Sequence, residues 1–142
     1  MAVTHKLYGP AMKNIIDGEM QVSSTGTFKV ALMSSEFNFN QDNEDLSSVI
    51  ENEIDDADYS TGGEELGITG SSYSNKVTTI KCAAETEFST AGTISANYAV
   101  VYGSTNNKLV SCVDFGGEEA SVDGEYKITW TDSKLFTVTV SA

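Results

Sequence analysis

Ile94-Ser95-Ala96-Asn97-Tyr98-Ala99-Val100-Val101-Tyr102 decides the fold class, together with Leu109-Val110-Ser111-Cys112-Val113-Asp114-Phe115 just after it. In the first stretch Ile94, Ala96, Tyr98, Val100 and Tyr102 recur at every second position. That period lines one face of a strand. Gly103 to Asn107, between the stretches, is rich in turn formers, so Ile94 to Gly116 reads as a hairpin. Leu109, Val113 and Phe115 can share a face of its second strand, with Ser111 as the polar interruption. Ala99 and Val101 oppose Val100 and Tyr102, so the hairpin is apolar on both faces. It is expected between two layers, at the centre of a sheet.

Working outward, Thr27 to Met33 alternates through Phe28, Val30 and Leu32 as a strand, entered from a turn at Ser23 to Gly26. Val77 to Cys82 is β-branched, within a β-like stretch from Tyr73 to Ala83, and Phe88 is expected to plug the core. Tyr126, Ile128 and Trp130 alternate, a tight turn at Thr131 to Lys134 follows, and Phe136, Val138 and Val140 oppose threonines. These last two runs read as a second hairpin. Gly62-Gly63 and Gly116-Gly117 read as turns. The one helix expected is Leu7 to Gly18, with Pro10 near its start, Gly18 at its stop and Met12, Ile15 and Ile16 as its apolar stripe.

Residues 1–142 therefore read as a single β-rich domain: mainly β, an antiparallel β-sandwich or jelly-roll-like fold with one short N-terminal helix. A partly closed barrel is the competing architecture. Residues 1–7 are expected as an extended arm, and residues 34–70 as a long surface excursion reaching out from the sheet. Within it Leu46 to Ile54 could form a weak helix. Glu51, Glu53, Asp55, Asp56 and Asp58 make the excursion a long acidic insert.

A net charge of −13 repels phosphate backbones and anionic lipid, so neither nucleic acid nor a membrane is expected as a partner. No apolar run approaches the roughly 20 residues that span a bilayer. Met1 to Lys6 lacks the apolar segment of a signal peptide, so synthesis in a cytoplasm is expected. Cys82 and Cys112 stand thirty residues apart, without metal-type spacing, and read as small buried hydrophobes rather than a disulfide framework.

Chemistry is harder to find. His5 is the only histidine and sits in the amino-terminal arm, a poor place for a dyad. The Glu51 to Asp58 run offers the oxygens that hard cations take. It lacks the alternating Asp/Asn and fixed glycine of an EF-hand loop, and reads as a solvated acidic face. Glu64-Glu65 and Glu118-Glu119 are sequence neighbours, which does not set two carboxyls across a substrate. Neither Gly-Gly pair has the lysine or helix of a phosphate loop. Tyr98, Tyr102, Tyr126 and Trp130 could line a sugar-binding face, but at strand spacing they fit a core or an interface better. No catalytic, cofactor-binding or metal-ligating set is expected, and a small hydrolase with buried carboxylates is the weakest reading.

The order of features resembles a family of small structural proteins of tailed bacteriophages. The shared pieces are a short helix, Thr27-Phe28-Lys29-Val30-Ala31-Leu32, the Tyr59 to Gly63 turn, Ala96 to Tyr102, Asp114-Phe115-Gly116 and Ile128-Thr129-Trp130. The resemblance implies a non-catalytic virion component without cofactor: a capsid decoration or cement protein on the head exterior, assembled in the host cytoplasm. Its partners would be the major capsid protein and copies of itself, trimers included. The contact segments expected are the arm, with His5, Lys6 and Leu7, and the excursion, with Phe37, Phe39, Glu51, Glu53 and Asp55. The alternatives are a carbohydrate- or receptor-binding module of a tail or fibre, and another tail or connector component.

Overall fold

A computed structural model describes residues 4–22, 27–89, 91–121 and 123–141. The chain is mainly β, with half of it in strands and 13% helical. In order it forms β1 (Thr4–Leu7), α1 (Gly9–Ile16), β2 (Phe28–Met33), β3 (Glu64–Leu66), β4 (Ile68–Ser74) and β5 (Val77–Cys82). Then come β6 (Glu85–Ser89), β7 (Ser95–Gly103), β8 (Lys108–Ala120), β9 (Tyr126–Thr129) and β10 (Lys134–Thr139). Every pairing is antiparallel. Three sheets result, of order β1-β8-β7-β2-β3, β10-β5-β4 and β6-β9.

The Ile94 to Gly116 hairpin is β7–β8, and β7 is the middle strand of the five. Its run Ala99-Val100-Val101 is wholly buried, as is Val30 to Met33 of β2 beside it. Both strands are thus covered on both faces, and each such aliphatic contributes about 1.5–3 kcal/mol by leaving water. Ser111 is fully buried too, and its hydroxyl has no hydrogen-bond partner among the described residues. Ser111→Ala is therefore expected to leave the urea midpoint unchanged or raise stability by about 1 kcal/mol, since it deletes an unsatisfied polar group. A clear loss would show that the hydroxyl is bonded.

Cys82 and Cys112 are free and buried, and burial pushes their thiols up to about 11 and about 12. Thiolate is the reactive form. At pH 8 Ellman's reagent should label neither thiol of the folded protein and both in guanidinium.

Several expectations need correction. The strands Tyr126 to Trp130 and Leu135 to Val140 form, but they do not make a hairpin: β9 pairs with β6, and β10 with β5. Asp132 and Ser133 both take positive φ, 55° and 54°, and the backbone of Trp130 is tied to Ala84. The corner therefore sends the chain to another sheet. Gly116-Gly117 is not a turn but an irregularity inside the 13-residue β8, where register slips between the Tyr98↔Asp114 and Ala96↔Glu119 pairs. In α1 the buried residues are Ala11 and Asn14, whereas Ile16 is 77% exposed. Of the Met12–Ile15–Ile16 stripe, Ile15 packs against the core and Met12 is half-buried, so only Ile16 turns away from the sheet.

Residues 34–70 do not reach outward. Phe37, Leu46, Val49, Ile54 and Tyr59 are buried there, and Leu46–Ser48 and Ile50–Asn52 are single 3₁₀ turns rather than one helix. The segment seals a strand edge. β3 covers β2 only from Phe28 to Val30. Beyond it, the Leu32 carbonyl accepts from the Ile54 amide at 3.1 Å, and the Asn52 carbonyl accepts from the Ser34 amide at 2.8 Å. The arm is likewise docked, since Thr4–Leu7 pairs with Ser111 to Asp114. Met1 to Val3 and the expected Ser23 to Gly26 turn lie outside the described residues.

Candidate binding cleft

Strand alternation splits the amino-terminal residues between two sides of the five-stranded sheet. His5 sits beside Val113 and Lys6 beside Cys112. On the His5 side lies a cleft of about 670 Å³. Its floor is His5, Val113 and Phe115, and its wall is the unbroken run Glu125 to Thr131. Seven consecutive residues can line a cleft only if the strand presents its edge rather than one face, because side chains alternate. Among the described residues β9 pairs with β6 alone, so that edge is open.

The His5 ring lies 6.0 Å from that of Trp130, inclined by 51°. Desolvation against the wall lowers the His5 pKa from its ordinary 6.5, so the ring is neutral at pH 7. Trp130 is held by an indole N–H that donates to the Thr86 hydroxyl at 2.9 Å. Tyr126 packs edge-on against Phe88 at 5.9 Å. Its hydroxyl is buried without a hydrogen-bond partner among the described residues. Burial raises the Tyr126 pKa, with the charges of Glu119 and Asp56 adding to it, so the group is an un-ionised donor. At the mouth Lys127 is shared by Glu125, at 2.9 Å, and Glu85, at 3.2 Å. Glu119 and Asp123 line the same mouth and form no ion pair among the described residues. Chemically this is an apolar, aromatic trough with neutral hydrogen-bonding groups and an acidic end.

The expected contact residues are placed as follows. His5 is in the cleft. On the other side of the sheet the Lys6 ammonium lies 5.6 Å from the centroid of the Phe39 ring, which also packs on Tyr8 at 4.9 Å. The arm and the 34–70 segment thus meet. Leu7 is exposed at the end of β1, whereas Phe37 is buried against Tyr98, at 5.0 Å, and offers nothing to a partner. Glu51 and Asp55 are exposed.

Glu53 is structural. Its carboxylate accepts from the Tyr59 hydroxyl and from the Gly62 amide, both at 2.6 Å. Asp56 and Asp58 likewise accept from the amides of Ser95 and Thr93. The acidic run is therefore in part a set of backbone clamps rather than a solvated face. Among the described residues no cluster of three or more His, Cys, Asp or Glu is placed to hold a metal.

Tyr98, Tyr102, Tyr126 and Trp130 are core residues, as their spacing suggests, yet the last two also wall the cleft. The signal missed in the sequence was the corner after Trp130, which leaves β9 at an open edge. No protein-family model, curated protein or solved structure matches the chain.

Proposed function

We propose that the chain is a non-catalytic assembly protein of a tailed-phage particle, a decoration protein that binds the assembled head shell and stabilises it. The order of motifs that resembles the phage structural family supports this reading. So does the burial of β2 and β7 on both faces, which fits the two layers of an antiparallel sandwich or jelly-roll-like domain. The observation that carries it is the meeting of Lys6 with Phe39. Two segments far apart in sequence thus form one surface.

A ligand of the assembled lattice that ignores free subunits raises lattice stability by its binding free energy. Partners on this reading are the major capsid protein and further copies of the chain, on the outside of the head. Symmetric copies gain avidity from each other without any new contact. The test is co-sedimentation with undecorated shells assembled from a tailed-phage major capsid protein. Saturable binding and a raised shell melting temperature are expected, and Lys6→Glu should weaken the binding. Failure to sediment with shells, with binding on a glycan array instead, would overturn the proposal in favour of a receptor-binding module.

A further inference from the structure

We infer that the cleft beside β9 takes an extended partner segment as an added strand, one that alternates apolar with polar residues and carries a lysine or arginine. Within the assembly reading above, on which this rests, the segment belongs to the shell protein. Three observations point there. The first is the open edge: an unpaired strand edge carries N–H and C=O groups that template another strand. Glu125 to Thr131 faces the cleft without a break, and β9 has no second neighbour among the described residues.

The second is the floor. Val113, Phe115 and the His5 ring lie under that edge, where alternate side chains of an added strand would fall. Trp130 and Tyr126 flank them. The third is charge. Lys127 is already neutralised by Glu85 and Glu125. Glu119 and Asp123 line the trough, form no ion pair among the described residues, and can meet a cation. Lys134 lines the cleft as well, so the trough is polarised rather than uniformly acidic.

Trp130 is the only tryptophan, so its emission reports on the cleft alone. The probe is a soluble ten-residue peptide with valines at alternate positions and lysines between them, titrated into the intact protein. A saturable shift of Trp130 emission is expected. The Glu119→Gln, Asp123→Asn double variant should bind about fivefold more weakly, the worth of two exposed ion pairs. Two further peptides are each N-methylated along one of the two backbone edges, and one of them should lose binding. The proposal is overturned if the emission does not move, or if a glutamate peptide or both N-methylated peptides bind as well as the parent. Shell sedimentation separates the two proposals. A silent peptide with normal shell binding sinks the strand-addition site and spares the decoration reading. A bound peptide without shell binding does the reverse.

Discussion

Gly63→Ala is expected to lower stability by about 3 kcal/mol or more, the largest loss foreseen for any single methyl added to this chain. Gly63 holds φ at +81°. A Cβ there would lie 1.8 Å from the Val30 carbonyl oxygen and 2.8 Å from the Ala31 Cα. Both obstacles are backbone of the most deeply buried stretch of the sheet, so neither can swing aside. Accommodating the methyl means lifting β3 off β2 and breaking the Val30↔Glu64 pairing. The neighbouring Gly62 provides the control. Its φ is +94°, but an added Cβ would find only the Tyr102 hydroxyl oxygen, at 3.5 Å. Gly62→Ala should therefore lose only the conformational part, about 1 kcal/mol. Urea denaturation of the two variants decides the matter, and equal losses would show that steric exclusion by β2 is not the cause.

Tyr59→Phe is the second large effect, at about 2–4 kcal/mol. The Tyr59 hydroxyl accepts from the Leu32 amide at 3.0 Å and donates to Glu53 at 2.6 Å. Past Val30 no strand covers that edge of β2 among the described residues, so phenylalanine would leave the buried Leu32 N–H unsatisfied. Glu53→Gln keeps an oxygen for both donors and should lose about 1 kcal/mol. Burial, then the bond to Glu53, raises the Tyr59 pKa well above its ordinary 10. The folded state thus prefers the protonated phenol. Its contribution is complete below pH 10 and is lost as pH rises beyond that value. The wild type should show a steep alkaline unfolding limb, and Tyr59→Phe a shallower one, by circular dichroism against pH.

Much of this fold was legible as strands and little of it as pairings. The alternation of Tyr98, Val100 and Tyr102 located β7, and burial on both faces followed from Ala99 and Val101. Periodicity is local, however, and registers a strand without its neighbour. Tyr126 to Trp130 and Leu135 to Val140 look like a hairpin because a turn joins them. The positive φ of Asp132 and Ser133 and the anchoring of Trp130 on Thr86 and Ala84 redirect the chain. Neither cause is visible from residue types. The same limit hid the cleft, whose floor and wall come from β1, β8 and β9. Composition misled at Glu51 to Asp58. Carboxylates there suggest solvent, but Glu53, Asp56 and Asp58 accept hydrogen bonds from amides at Gly62, Ser95 and Thr93.

The pairings of β1 with β8 and of β10 with β5 also bear on how the chain is made. A ribosome releases residues in order, at about 5–20 per second. When β4 and β5 have emerged, their hairpin still waits for β10 to close the three-stranded sheet. Thr4 to Leu7, ahead of the other strands in the chain, has no partner until Ser111 to Asp114 arrives. Apart from the β7–β8 and β4–β5 hairpins, the pairings join segments far apart in the chain, so ordering is a late event of milliseconds to seconds, as for other distant-pairing β domains. Nascent chains stalled before residue 134 should accordingly be open to protease, whereas full-length protein resists it.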